Sequence, residues 1–211
     1  MTREELARLA ELGVATLYEA SNREGLIDLP LVQLLPGSRA AGPARTVLCG
    51  QDDNLMVHAV IDHIEPGEVL VLTMPEPRPI ALVGELLATQ VKVRGAAAIL
   101  VDGAVRDVED LQKLGLPIWT RYIRVKGAGK SEIGELDATV TVGGARIAPG
   151  DIVVLDADGA VCIQRQRAGK VLAAAEIRLE REARLREKLA AGATSYELHG
   201  LRAVVERSQG D

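Results

Sequence analysis

The chain has 211 residues, enough for one large domain or two small ones, and 47% of them are apolar. Its formal net charge of −5 at pH 7 argues against a general nucleic-acid binder, because such proteins usually present a basic face. An apolar signal segment and a run of membrane-spanning length are both missing from the sequence, which predicts a cytoplasmic protein with no membrane partner. The two cysteines, Cys49 and Cys162, lie in apolar stretches and are expected to be buried thiols.

The first third of the chain predicts short helices around one strand. Residues 3–20 repeat apolar positions at helical spacing, and Gly13 divides them into two helices, with Thr16 available to cap the second. Residues 42–49 have a strand-like composition, and residues 54–61 predict a further helix.

A strand–helix–strand unit follows. The apolar run at residues 69–72 predicts a buried strand, and residues 84–94 predict a helix that ends at Gly95. A second buried strand begins at Ala96 and is expected to end in a sharp turn at 102–103. Such a crossover unit predicts that the two strands are parallel.

Charged residues lie between this second strand and the next predicted helix. Arg106 and Asp107 follow the strand, and Val108, Leu111 and Leu114 then repeat at helical spacing. In open α/β sheets, ligands bind at the carboxyl ends of the strands. This stretch is therefore the first candidate for a functional site.

The remaining chain predicts hairpins and one long helix. Residues 126–130 predict a flexible loop that is too irregular for a phosphate-binding motif, and residues 139–147 predict a hairpin with a Gly-Gly turn. A second hairpin is expected over residues 151–163. A helix rich in Ala, Glu, Arg and Leu is predicted over residues 168–191. We expect one compact α/β domain over residues 1–211 with a C-terminal helical extension.

The helix that starts after Gly84 is a candidate anion site. The backbone N–H groups of its first turn, at Glu85, Leu86 and Leu87, have no partners within the helix and lie at the positive end of its dipole. Gly84 would let a ligand approach the backbone closely. The alternative is an ordinary helix start after a proline-rich loop.

Arg106 and Asp107 also have two interpretations. Arg106 could hold a substrate carboxylate through two parallel hydrogen bonds, and Asp107 could hold a divalent cation. Alternatively, Asp107 caps the following helix and Arg106 pairs with Glu109 or Asp110 on the surface. Both candidate sites flank the same pair of elements, which favours a small metal-chelating acid such as an α-keto acid.

Three motifs resemble those of the RraA-like family, which includes the class II 4-hydroxy-4-methyl-2-oxoglutarate and 4-carboxy-4-hydroxy-2-oxoadipate aldolases. They are Gly-Glu-Leu-Leu-Ala-Thr at 84–89, Val-Asp-Gly-Ala-Val-Arg-Asp at 101–107 and Leu-Gly-Leu-Pro-Ile at 114–118. Further segments that resemble this family lie at residues 16–20, 140–144, 149–153 and 156–159. The resemblance covers nearly the whole chain. It implies a swivelling β/β/α fold, assembled as a homotrimer or hexamer with sites between subunits.

The resemblance also implies an activity. The aldolase branch releases pyruvate from 4-hydroxy-2-oxo acids with Mg²⁺ or Mn²⁺ and decarboxylates oxaloacetate. By resemblance, Asp107 would position the metal and Arg106 would bond the keto acid, whose carboxylate would be received at Gly84 by the N–H groups of Leu86 and Leu87.

Two carboxylates complete the expected site. Glu85 stands where some aldolases carry Asp and would hold the water that moves the proton, and Glu182 is the candidate contributed by the C-terminal helix of a neighbouring subunit. This reaction has two alternatives. A Schiff-base aldolase needs a buried lysine, and every lysine here lies in a polar, loop or helix-surface context. The second alternative is a non-catalytic regulator of an RNA-degrading endonuclease. The branch of the RraA-like family with that function commonly lacks the Asp that follows the Arg, whereas this chain has both Arg106 and Asp107.

Overall fold

The structure is a computed structural model that describes residues 1–208. The chain divides into two compact units, Met1–Ala175 and Glu176–Asp211. The helices are α1 (Arg3–Leu12), α2 (Val14–Ala20), α3 (Leu55–Val60), α4 (Glu85–Val93), α5 (Val108–Leu114), α6 (Ala168–Ala190), α7 (Ser195–Leu198) and α8 (Arg202–Ser208). The strands are β1 (Val32–Gln33), β2 (Ala40–Leu48), β3 (Val69–Thr73), β4 (Ala81–Val83), β5 (Ala98–Val105), β6 (Ile118–Ile123), β7 (Glu135–Leu136), β8 (Val140–Val142), β9 (Ala145–Ile147), β10 (Ile152–Asp156) and β11 (Gly159–Ile163).

A nine-stranded mixed sheet forms the centre of the first unit. Its main path runs β1-β6-β5-β3-β2-β10-β11, while β4 pairs with β5 and β7 pairs with β2. The central pairs β2–β3, β3–β5 and β5–β6 are parallel, and the outer pairs β1–β6, β2–β10 and β10–β11 are antiparallel. The predicted parallel crossover is confirmed by β3, α4 and β5. The predicted Gly-Gly hairpin is confirmed by the pair β8–β9.

The central strands β3 and β5 are mainly apolar because both faces of the sheet are covered. Along β5, Ile99 and Val101 enter a core cluster that they share with helices α3, α4 and α5. Ala98 and Leu100 enter a second cluster, which contains Trp119 and residues of β8 to β11. The sheet therefore separates two apolar layers, and polar side chains gather beyond the ends of its strands.

The predicted turn at 102–103 is wrong, because β5 continues through both residues to Val105. The carboxylate of Asp102 is buried, and it accepts a hydrogen bond of 3.1 Å from Nη1 of Arg121 on β6. Burial raises the pKa of Asp102, although Arg121 partly offsets this effect. A charged residue can continue a buried strand here because the neighbouring strand supplies its counter-ion.

The two N-terminal helices confirm the prediction of a break at Gly13, but the predicted cap is wrong. Helix α2 begins at Val14, so Thr16 lies inside it. The N–H of Val14 donates instead to Oδ2 of Asp156 at 2.8 Å. This cap comes from a residue 142 positions further along the chain, which local sequence spacing does not indicate.

The predicted long helix is α6, which extends from Ala168 to Ala190. Its buried residues are Ala168, Val171 and Ala175, all within the first unit. In the second unit, α7 and α8 follow it. Among residues 1–208, every helix is too short or too polar to cross a membrane.

Candidate active site

The candidate residues come together at the carboxyl ends of two paired parallel strands, β4 and β5. A single residue, Gly84, separates β4 from α4 and is the N-cap of this helix. Strand β5 is followed by Arg106 and Asp107, and then by α5. The N–H of Arg106 donates to the carbonyl of Val83 at 3.1 Å, which fixes the two strand ends side by side.

Asp107 adopts a left-handed backbone conformation (φ 61°, ψ 41°). This conformation costs an L-residue roughly 1 kcal/mol, although Asp and Asn tolerate it better than most side chains. In this conformation the Asp107 carboxylate accepts no capping hydrogen bond from the first turn of α5. Oδ2 of Asp107 instead accepts the backbone N–H of Glu85 at 3.2 Å. Asp107 therefore occupies the N-cap position of α5, but the alternative in which its side chain caps this helix is wrong.

The surface ion pairs proposed for Arg106 are also absent from the described residues. Nε of Arg106 lies 3.7 Å from Oδ2 of Asp107. Asp110 pairs with Lys113 at 2.9 Å on the face of α5. Arg106 and Asp107 are each about half exposed, with side-chain exposures of 50% and 44%. Both therefore remain accessible to a ligand.

Position 84 requires glycine because a side chain would not fit there, whereas its backbone conformation suits any residue. Its φ of −127° and ψ of −174° are extended values that any residue can adopt. A Cβ atom at this position would lie 2.6 Å from Oδ2 of Asp107 and 3.2 Å from Nε of Arg106. The absence of a side chain here thus lets the carboxylate and the guanidinium approach the start of α4.

The start of α4 presents two free donors beside this pair. The N–H of Glu85 is taken by Asp107, and the first bond of the helix is from Ala88 to the carbonyl of Gly84 at 3.1 Å. Within the described residues, the N–H groups of Leu86 and Leu87 have no acceptor. They lie at the positive end of the helix dipole, where a carboxylate is favoured.

These groups open into a cleft of about 190 Å³ within the first unit. The cleft is lined by Asn54, His58, Ala81, Gly84, Leu86, Leu87, Arg106, Asp107, Gly127, Ala128 and Lys130. The sequence analysis assigned no role in a site to Asn54 or His58, and it did not place the loop at 126–130. Long-range bridges between Ala81 and Gly127 and between Asp53 and Gly129 bring that loop to the site.

Asn54 contributes a buried acceptor to the cleft wall. It is only 8% exposed, and its Nδ2 donates to the carbonyl of Leu82 at 3.0 Å. Its Oδ1 is buried and lacks a hydrogen-bond partner among residues 1–208. An unpaired buried acceptor is costly and is typically satisfied by a ligand or by water.

The carboxylate of Glu85 is not part of the cleft lining. Oε1 of Glu85 accepts the hydroxyl of Thr89 at 2.8 Å, one turn along α4. Glu182 lies in the second unit and pairs with Arg178 at 2.8 Å on its own helix. The predicted contribution of Glu182 from a neighbouring subunit stays a prediction.

A divalent cation fits the chemistry of Asp107. Oδ2 accepts one N–H, while Oδ1 has no hydrogen-bond partner within the described residues. Within residues 1–208, no group of three or more His, Cys, Asp or Glu side chains is placed to hold a metal ion. Mg²⁺ does not require such a cage, because it commonly binds one or two carboxylates and keeps several waters.

Comparison with known proteins places these features in a family. A family model described as RraA-like, Aldolase/RraA, matches residues 14–162. A protein of Halalkalibacterium halodurans named "Putative 4-hydroxy-4-methyl-2-oxoglutarate aldolase" is 33% identical over 151 residues, which are 71% of this chain and 72% of that protein.

Two solved structures share the fold. Streptomyces coelicolor RraAS2, described as an unusual member of the RNase ES inhibitor RraA family, aligns with a TM-score of 0.77 and 29% identity over 88% of this chain and 97% of that one. The RNA-processing inhibitor RraA of Thermus thermophilis aligns with a TM-score of 0.64 and 28% identity over 71% and 90%. The expected swivelling β/β/α fold is thereby confirmed, and the chain belongs to the RraA-like Aldolase/RraA family.

Proposed function

We propose that this protein is a divalent-metal-dependent aldolase that releases pyruvate from 4-hydroxy-2-oxo acids, with oxaloacetate decarboxylation as a second reaction. The main support is the convergence of three groups in one cleft. They are the free N–H pair at the start of α4, the guanidinium of Arg106 and the carboxylate of Asp107. The name of the Halalkalibacterium halodurans relative points to the same reaction class.

The pyruvate end of the substrate would bind at the wall formed by α4 and Arg106. Its carboxylate would accept hydrogen bonds from the N–H groups of Leu86 and Leu87, where the helix dipole adds to the attraction. The planar guanidinium of Arg106 would donate hydrogen bonds to the keto acid beside these N–H groups. A charge-assisted contact of this kind contributes about 1.5–3 kcal/mol. Gly84 keeps this wall free of any side chain.

Asp107 would hold Mg²⁺ or Mn²⁺, which would supply Lewis-acid stabilisation of the negative charge that develops on the keto oxygen. In the retro-aldol reaction the C3–C4 bond breaks, the C4 hydroxyl loses its proton to become a carbonyl, and C3 gains a proton to give pyruvate. Glu85 would hold the water that carries this proton. That role requires its carboxylate to leave the hydroxyl of Thr89.

We further propose a homotrimer or hexamer in which Glu182 reaches the cleft of a neighbouring subunit. In the first unit, Val93, Val125 and Ile133 are each at least 80% exposed. Exposed apolar side chains indicate an interface with another chain where they form a contiguous patch. Light scattering at micromolar concentration should give the mass of three or six chains. The mass of a single chain would contradict both the assembly and the shared carboxylate.

Pyruvate release tests the proposed reaction. Several 4-hydroxy-2-oxo acids and oxaloacetate should yield pyruvate in the presence of Mg²⁺ or Mn²⁺, and EDTA should abolish the release. The rival function is inhibition of an RNA-degrading endonuclease, which the names of the two structural relatives suggest. Inhibition of such a nuclease together with no pyruvate release from any of these acids would favour the rival.

A further inference from the structure

The proposed reaction needs a group that takes the proton of the C4 hydroxyl. In that reaction Arg106 and the start of α4 bind the pyruvate end, Asp107 holds the cation, and a water held by Glu85 supplies a proton at C3. The C3–C4 bond breaks only as the C4 hydroxyl loses its proton and becomes a carbonyl. A positioned base that accepts such a proton contributes roughly a hundred- to ten-thousandfold in rate.

His58 lines the cleft on the side that α3 forms. Asn54, the N-cap of α3, lies four residues earlier, and its carbonyl accepts the N–H of His58 at 3.3 Å. Residues four apart lie on one face of a helix. This spacing explains why both residues line the same cleft.

The position of α3 is fixed on two sides. Val57 and Val60, which flank His58 in the sequence, are fully buried in the core cluster that α3 shares with α4. The side-chain amide of Asn54 donates to the carbonyl of Leu82 in β4 at 3.0 Å. Helix α3 is thus held against the strand that leads into the proposed pyruvate site, and the backbone of His58 is held with it.

The imidazole of His58 is available as a base. Within residues 1–208, its ring nitrogens make no hydrogen bond, and no carboxylate lies within 4.0 Å of them. The residue is exposed to the cleft solvent. A neutral imidazole carries an acceptor lone pair on one of its two nitrogens. That nitrogen can take a proton from a molecule in the cleft.

The other polar side chains of the cleft lining do not suit this task. The guanidinium of Arg106 and the ammonium of Lys130 have no acceptor. The amide of Asn54 is not a base, and the carboxylate of Asp107 is assigned to the cation, whose charge weakens it as a base. Imidazole is the side chain that most often serves as a general base in enzymes. The lining therefore leaves His58 as its base.

We propose that His58 accepts the proton of the substrate's C4 hydroxyl, an inference that rests on the proposed function. The O–H electron pair becomes the second bond of the new carbonyl, and the proton goes to the free ring nitrogen. The electron pair of the C3–C4 bond moves to C3 and forms the enolate of pyruvate. C3 then takes a proton from water, and the imidazolium returns its proton to solvent. 4-Hydroxy-2-oxoglutarate thus gives pyruvate and glyoxylate without an oxidant or a reductant.

Reactions with and without a C4 hydroxyl test this assignment. Cleavage of 4-hydroxy-2-oxoglutarate requires the base. Oxaloacetate decarboxylation and exchange of the methyl protons of pyruvate pass through the same enolate, and neither molecule has a C4 hydroxyl. With Mg²⁺ present, His58→Gln should lower kcat for the cleavage by at least about a hundredfold. The same variant should keep the rates of decarboxylation and exchange within about threefold of the wild type.

His63→Gln is the matched control, because His63 is exposed in the 3₁₀ turn after α3 and is not part of the cleft lining as the structure describes it. It should leave all three reactions unchanged. Unchanged cleavage in His58→Gln would overturn the assignment and leave a water molecule as the base. Equal losses in all three reactions, or a loss confined to the KM of the cleavage, would also overturn it. If the wild-type protein catalyses none of the three reactions, the proposed function itself fails and His58 has no such role.

Discussion

Asp107→Asn should reduce metal-dependent pyruvate release by more than about a hundredfold while leaving the fold intact. The substitution removes the charge that would hold the cation, and Lewis-acid stabilisation contributes several kcal/mol to such reactions. Asn tolerates the left-handed conformation at this position as well as Asp does. Its side-chain oxygen can still accept the N–H of Glu85. We therefore expect the free energy of unfolding to change by less than about 0.5 kcal/mol.

The measurement is pyruvate release at saturating Mg²⁺ beside thermal unfolding of the same variant. Asp110→Asn is the matched control, because Asp110 lies three residues further on and pairs with Lys113 away from the cleft lining. It should keep wild-type activity. Wild-type turnover in Asp107→Asn would remove the metal assignment.

Gly84→Ala should also impair catalysis strongly, for a different reason. The new methyl group would lie 2.6 Å from Oδ2 of Asp107 and 3.2 Å from Nε of Arg106, so both side chains must move. Displacing reacting groups by about 1 Å can cost roughly a hundredfold in rate. Because Asp107 and Arg106 are about half exposed, they can rotate outward, and stability should fall by no more than about 1 kcal/mol.

Gly169→Ala provides the control for adding a methyl group. Gly169 lies in α6, and a Cβ there would meet nothing within 4 Å. Its activity should equal that of the wild type, and Ala should stabilise the helix slightly. Unimpaired kcat/KM in Gly84→Ala would mean that the close approach of Asp107 to α4 is not needed for the reaction.

The elements that sequence patterns predicted well are those whose signal is local. Uninterrupted apolar runs identified β3 and the start of β5, because strands covered on both faces need no polar alternation. Spacing identified α5 and α6, and a Gly-Gly pair identified the turn between β8 and β9. Strand β4 was missed because three apolar residues at the end of a proline-rich loop are too short a signal.

The errors have non-local causes. The end of β5 was misplaced because Asp102 and Gly103 are typical turn residues, and the partner that permits Asp102 in a strand is Arg121, 19 residues away. The direction of the Asp107 carboxylate depends on the left-handed backbone conformation of this residue, which the sequence does not specify. The loop at residues 126–130 reaches the cleft through pairing between Ala81 and Gly127 and between Asp53 and Gly129, which no periodicity indicates.

Exchange of the methyl protons of pyruvate with solvent deuterium tests the central claim most directly. It reports proton transfer at C3 and needs only the pyruvate end of the substrate. We expect exchange that requires Mg²⁺ or Mn²⁺, stops on addition of EDTA, and is lost in Asp107→Asn but kept in Asp110→Asn. Exchange at the wild-type rate in EDTA, or in Asp107→Asn, would contradict a metal-assisted reaction at the start of α4.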